Sequence, residues 1–320
     1  MQLVAIVNSF NRRDLLVQAL QSLVGVLDGS AITCSIAVFE AGSTDGSREW
    51  LSQFAAQHPE VRLEIVLASD GDNTSLSAGV NRACERALEI FPEAEFLFLY
   101  ETDNRLSSAE PLVAAMRLLH RQPALAAVGF TVRLHSGEPC AWGETFPTVL
   151  SFVLGPQLMY RMRTLRSAPR TQKTAGLAWF PAEVVYTSPL LVRARLWREL
   201  GGMDAQLFPF SDCDLDWEWK LARAGYGCAV LLTDAVVHDN LGAASDWSSL
   251  RMLRFHQARF RLLRKHRGLG VTFAIPALFL RHLAEFALLA AMVVAGKRPS
   301  LSLKKRFLLL KSVWSGYQTV

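Results

Sequence analysis

The chain has 320 residues, 51% of them hydrophobic, and a formal net charge of +5. That length supplies one large core or two modest ones. Its five cysteines include no CxxC pair, which argues against a disulfide framework or a zinc knuckle and favours a reducing, cytoplasmic setting. The N-terminus enters an apolar run directly, with no basic n-region or cleavage site, so no signal peptide is expected. Charge is uneven: residues 1–110 hold 16 acids and 7 bases, whereas 251–267 hold seven Arg or Lys and no acid. Residues 301–320 add four more bases and no acid. Such an end suits an anionic surface, membrane or nucleic acid, or else a solvated helix face.

In chain order, LVAIVN (3–8) is an apolar run too short for a helix. RRDLLVQALQSLVGVL follows with Leu15, Leu16, Ala19, Leu20 and Leu23 on one helical face. SIAVFE (35–40) reads as a strand, and Trp50, Leu51 and Phe54 line the next helix. RLEIVLA (62–68) leads to a helix with Leu76, Val80, Cys84 and Leu88 at fourfold spacing, and FLFLY (96–100) is a further buried strand. This βαβαβαβ order predicts an α/β fold, a mainly parallel sheet with helices on both faces. Ligands of such sheets bind beyond the carboxyl ends of the strands. Asn8, Glu40, Ser69–Asp70 and Glu101–Asp103 all fall there. FEAGSTDGSREWL puts small and capping residues between the strand-ending Glu40 and a helix, yet no GK[ST] or GxGxxG is present, so it is not a P-loop or a dinucleotide fingerprint.

Several stretches together resemble glycosyltransferase family 2, inverting enzymes of the GT-A fold. They are AIVNSFNRRDLLVQALQSL, VFEAGSTDGS, SAGVNRA, LYETDN, SPLLVRARLWRELGGMDAQLFPFSDCDLDWEWKLARAGY and AVVHDNLGA, in order over residues 3–267. The resemblance implies a GT-A domain at 1–267, with a nucleotide-sugar half at about 1–105, an acceptor half at about 106–267, and a C-terminal helical extension at 268–320. It implies a nucleotide diphosphate sugar donor held by Asn8, Phe10, Glu40, Gly42, Ser43, Asp70, Asn81, Glu101 and Thr102. It further implies a divalent ion, Mn²⁺ or Mg²⁺, on Asp103 and His238, and Asp212 as the general base. A hard divalent ion bridging phosphates keeps few protein ligands, often one carboxylate, and imidazole suits Mn²⁺ better than Mg²⁺. Asp212 and Asp214 also read as helix caps, the ordinary role of an Asp at a helix start. Likewise a lone strand-ending His238 is often structural. Three positions depart from the family pattern: Glu40 for aspartate, Ser211 for glutamate and Ser75 for glycine.

Residues 135–182 read as long and irregular, with five bases in 161–173, either a lid over the diphosphate or exposed surface. In 268–320, two apolar runs are interrupted by Arg281, His282 and Glu285. A charged centre disfavours a span, and packed or interfacial helices are expected instead. The expected activity is transfer of a sugar to a hydroxyl of a saccharide or lipid-linked glycan, with a peripheral membrane contact through 268–320 at the inner membrane face. The alternative is a sugar-nucleotide-binding scaffold that has lost transfer. Phe255, Phe260, Leu262 and Leu263 interleave the bases of 251–267 and argue for packing, so no nucleic-acid partner is expected.

Overall fold

The computed structural model describes residues 2–133, 139–141, 143–155, 158–159, 170–186, 189–238 and 250–317. The chain divides into two compact units, Met1–Phe146 with Pro169–Asn240, and Pro147–Ala168 with Leu241–Val320.

The first unit opens with β1 (Gln2–Ser9), α1 (Arg13–Leu27), β2 (Thr33–Glu40), α2 (Ser47–Gln57), β3 (Arg62–Leu67), α3 (Leu76–Ile90) and β4 (Phe96–Leu99). It continues with β5 (Asn104–Leu106), α4 (Glu110–Arg121), β6 (Leu125–Phe130), β7 (Val132–Arg133) and β8 (Pro139–Ala141). After α5 (Val149–Leu154), which belongs to the second unit, come β9 (Gln172–Thr174), β10 (Leu177–Ala182), β11 (Leu190–Arg193), α6 (Ala194–Leu200), α7 (Cys213–Arg223), β12 (Gly227–Leu231) and β13 (Val236–His238).

Among the described residues, nine strands form one sheet in the order β3-β2-β1-β4-β11-β6-β12-β10-β9. β3, β2, β1 and β4 run parallel, as their alternation with helices predicts. β1, β2 and β4 are almost continuously buried because both faces of the sheet are covered. The sheet is mixed beyond that point: β11 inserts antiparallel between β4 and β6, pairing Leu190 with Leu99 on one side and Gly129 on the other. A second, four-stranded sheet runs β5-β13-β7-β8 and pairs His238 with Asn104. Leu16, Ala19, Leu20 and Leu23 of α1 are buried as expected, while Leu15 is half-buried. On α3 the buried face includes Ser77, Gly79, Ala83 and Ala87 beside Val80 and Cys84, leaving Leu76 and Leu88 half-buried. The small residues let α3 approach closely: a Cβ added to Gly79 would fall on the Asn8 amide oxygen and 2.6 Å from Phe39.

The stretch 135–182, expected to be irregular, contributes β8, α5, β9 and β10, with Trp179 and Phe180 buried and Trp179 Nε1 donating to Thr174 Oγ1 at 3.1 Å. Most of its basic run lies outside the described residues, and the lid expectation with it.

The second unit contains α5, α8 (Leu250–Arg267), a 3₁₀ turn at Gly268–Ala274, α9 (Ile275–Val294) and α10 (Leu301–Trp314). By contacts, α8 joins these helices, earlier in the chain than a boundary at 267 suggests. Thr148 caps α5, its Oγ1 accepting from Ser151 N at 3.0 Å while Ser151 Oγ accepts from Thr148 N at 2.9 Å. Phe152, Phe260, Leu263, Val271, Leu278, Leu309 and Val313 form the unit's core. Helix runs from Arg251 to Val294 and includes a window of mean hydropathy 1.8, by length and composition alone able to cross a membrane.

Candidate active site

The loops after β1 and β2 are tied into one scaffold. Asn11, at φ +49°, receives Thr44 N on Oδ1 at 2.8 Å, and its own N–H donates to Ser43 Oγ at 3.0 Å. Asp45 accepts from Arg13 N at 2.8 Å and from Ser47 Oγ at 2.6 Å, joining the starts of α1 and α2. Hydrogen bonds from Ser47 and Arg13 outweigh its burial and hold its carboxyl below the usual range. The turn after β2 holds its own strand-ending acid: buried Glu40 accepts Ser43 N at 2.7 Å and Gly42 N at 3.2 Å. Gly42 sits at φ +84°, a conformation that glycine adopts without strain.

Beyond β4, Glu101, Thr102 and Asp103 lead into β5. Asp103 is only 4% exposed, and its Oδ2 receives Arg12 Nη1 at 3.2 Å. Asp103 Oδ1 is buried with no hydrogen-bond partner and faces His238 Nδ1 at 3.4 Å. The β5–β13 register delivers that imidazole, because His238 pairs with Asn104, and Nδ1 also lies 3.3 Å from Asn104 Oδ1. Asn104 in turn donates from Nδ2 to the Glu101 carbonyl at 3.2 Å. An orphaned buried carboxylate oxygen beside an imidazole fits a hard divalent ion that takes its remaining ligands from phosphate and water. Among the described residues no group of three or more His, Cys, Asp or Glu could hold a metal.

On the acceptor side, Asp212 stands at the start of α7. It is 5% exposed and left-handed at φ +60°, ψ 12°. Its side chain makes no cap bond, so the capping role does not account for it. A non-glycine residue held in this region stores strain, which concentrates at functional sites. Asp214 is half-buried and accepts Leu215 N at 3.0 Å, which is not a cap either. Burial raises the Cys213 thiol, and Asp214, Glu101 and Asp212 add to the rise, so three acids from two loops act on one point. One turn further, Glu218 is fully enclosed and accepts Val185 N at 2.8 Å. Burial, then the Asp214 charge, push its carboxyl well above the usual range.

Asn8, Leu76, Val80, Tyr100, Glu101 and Met203 line one cleft. Asn81 acts there through the backbone: its Nδ2 donates to Met203 O and its Oδ1 accepts Met203 N, both at 2.8 Å, fixing the Gly-Gly-Met-Asp turn. A Cβ at Gly202 would collide with the same amide. Phe10 is 52% exposed, and Asp70 is exposed in the loop after β3, where Asp72 takes Ser69 N at 2.7 Å and pairs with Arg82. Arg12, Asn104 and Glu218 escaped the reading of the sequence. Arg12 and Asn104 lie inside the quoted FNRRD and ETDN motifs, whereas only its burial distinguishes Glu218.

A parallel sheet with polar loops at its carboxyl edge, followed by a mixed-sheet half that brings a histidine to the strand-ending acid, defines a GT-A-type sugar-transfer scaffold. The chain belongs to the family described as glycosyltransferase like family 2, whose model matches residues 2–259. It is a glycosyltransferase. Among curated proteins no sequence matches it. Its fold is similar to that of mannosyltransferase PcManGT from Pyrobaculum calidifontis in complex with GDP-Man and Mn²⁺, with TM-score 0.55, 16% identity, and 98% of this chain and 86% of that one covered. It is also similar to S. aureus TarS, with TM-score 0.51, 13% identity, and 98% and 53% covered. A third likeness is to GalNAc-T7 with UDP, GalNAc and Mn²⁺, with TM-score 0.54, 11% identity, and 82% and 48% covered. The chain thus spans about half the length of the last two.

Proposed function

We propose that this glycosyltransferase is inverting and divalent-metal-dependent, moving a sugar from a nucleotide diphosphate sugar to a hydroxyl of a saccharide or lipid-linked glycan at the inner membrane face. The observation that carries this reading is Asp103, a buried carboxylate with one oxygen on Arg12 and the other orphaned beside His238. The Mn²⁺ and nucleotide ligands of PcManGT and GalNAc-T7 support the same choice. A bound divalent ion would neutralise the departing diphosphate.

The chain's own residues do the rest. Asp103 and His238 would hold the ion, and Arg12, 51% exposed on its outer side, would face the phosphates. Asn8 and Glu101 line the cleft beside the donor. Glu40 stiffens the turn through Gly42 and Ser43, and Thr102 is buried in the loop after β4. Asp212 takes the acceptor proton as the hydroxyl oxygen attacks the anomeric carbon. The C–O bond to the diphosphate breaks with its electron pair leaving on phosphate, and attack from the opposite face inverts the configuration.

A thermal-shift panel of nucleoside diphosphates with and without Mn²⁺ tests the reading. A ligand at about 100 times its Kd adds about 2.7 kcal/mol of stability. One nucleotide should raise Tm, more with Mn²⁺, and Asp103→Ala should erase the Mn²⁺ increment. A wild-type shift indifferent to Mn²⁺ overturns the metal assignment.

A further inference from the structure

The helical unit presents an apolar exterior that its own core does not use. Every exposed residue of α9 is apolar, and Leu280, Leu283, Ala287, Ala291 and Val294 follow one another at three- and four-residue steps along one face, with Leu288 beside them. Val294 is 90% exposed, and Phe273, in the turn before α9, is 86% exposed. The exposed face of α10 alternates apolar and cationic residues: Leu301, Lys304, Phe307, Leu308, Lys311 and Trp314. Lys297 and Arg298, between the two helices, are exposed as well.

From 250 to 317 there are fourteen Arg or Lys and a single acid, Glu285. That acid is engaged within the unit by Arg281, His282 and Arg306. Arg306 is itself buried, so it is not among the outward cations that its place in KKR suggests.

We infer that α9 and α10 form a membrane-docking surface for anionic phospholipid, lying in the plane of the interface. Charge selects the occupant. A second copy would bring equal stripes and like-charged lysines together with no exposed acid to pair them, whereas an anionic headgroup layer pairs them all. Lysines set among Leu and Phe bury their stems while the ammonium reaches headgroups, and an exposed Trp ends the helix at the same level.

Geometry selects the orientation. α10, with 14 residues, is about 21 Å long, short of the roughly 30 Å hydrocarbon core. Its partner carries the Arg281–His282–Glu285 group in its middle. A span would place those charges at depth, whereas an in-plane helix keeps them on the protein side, where the network satisfies them.

Flotation of the full-length protein tests this with phosphatidylcholine vesicles with and without phosphatidylglycerol. Binding is read without donor or acceptor, so its failure leaves the sugar-transfer reading untouched. Wild type should float with the anionic vesicles at low salt, and less in about 1 M salt, where the Debye length falls to about 3 Å. Lys304→Gln with Lys311→Gln should lose roughly tenfold or more in binding to the anionic vesicles, since each surface cation contributes about fivefold. Leu280→Gln, Leu288→Gln and Val294→Gln together should lose binding to both vesicle types while the Tm is kept. Wild type that ignores anionic vesicles overturns the inference. If such protein sediments as a dimer that the triple variant abolishes, the face is an interface between copies. Retention in the membrane after alkaline carbonate extraction overturns the in-plane orientation.

Discussion

The two units bury opposite things. In the first, Val4, Ile6, Phe39, Phe96 and Phe98 fill the interior, and the buried polar groups Glu40, Asp103, Asp212 and Glu218 gather near the carboxyl ends of strands or at the start of α7. In the second, His256, Gln257, His282, Arg306 and Ser312 are inside while Phe273, Leu280, Leu288, Val294 and Trp314 face out. The polar groups buried in the first unit stand at the candidate site, whereas those of the second hold helices together beneath an apolar exterior. Burying a polar group without a partner costs free energy in either setting, so the difference lies in what each arrangement obtains in return.

The sharpest test of this contrast is Asp212→Asn. It should lower kcat by about 10²–10⁴ with nucleotide binding nearly unchanged. Stopped single-turnover assays beside calorimetry decide it, with Asp214→Asn as the control that keeps most turnover. If the control dies and Asp212→Asn survives, the base is Asp214.

In the helical unit the reverse is expected. Arg306→Ala should leave kcat for a soluble acceptor within about twofold yet cost about 2–3 kcal/mol, below the 3–5 kcal/mol of a fully buried broken pair because Glu285 is 30% exposed. Denaturant melts followed by circular dichroism read this. A drop in turnover as large as the drop in stability would erase the division of labour.

Glu218 lies between the two cases, as an acid of the catalytic unit with a structural partner. Glu218→Gln keeps a side-chain oxygen for Val185 N and should cost less than Glu218→Ala, which leaves Val185 N unpaired and should cost about 1–3 kcal/mol. Equal losses in the two variants, by thermal denaturation, would mean that the bond to Val185 N is not what the side chain contributes.

The smallest effect is with pH. Burial, then Arg281 and Arg306, push His282 down to about 3 although Glu285 Oε2 lies 2.9 Å away, and burial with the His282 ring lowers His256 as well. Below about 6.5 the unfolded chain binds protons that these folded imidazoles refuse, so stability falls as pH drops from about 6.5 toward 5. The lowered carboxyls of Asp45 and Asp72 lose their contribution only further down, through their own depressed range. A Tm slope over that window that persists in His256→Gln with His282→Gln would assign it elsewhere.

Much of the first unit was legible because βα alternation and strand-end acids leave a local mark. The runs 3–8, 35–40, 62–68 and 96–100 all became strands of the parallel half. What was not legible is non-local. Nothing in LLVR announces that β11 enters between β4 and β6, since antiparallel and parallel partners use the same apolar residues. The role of Asn81 was hidden for the same reason, as its partner Met203 lies 122 positions away. Arg306 looked like an outward cation because KKR is charged throughout, and only the helix phase turns one of the three inward.

The backbone ladder between β5 and β13 carries a consequence for how the molecule tolerates change. His238 and Asn104 are separated by 134 positions, yet their alignment is set by three paired residues on each strand. Segments between them can lengthen, shorten or be exchanged for those of another transferase without moving the imidazole, provided the two short strands still pair. A single residue inserted within Val236–His238 would do the opposite, because a one-step slip turns every side chain to the other face of the sheet. Recombination should therefore be cheap in the loops between these two strands and costly within Val236–His238.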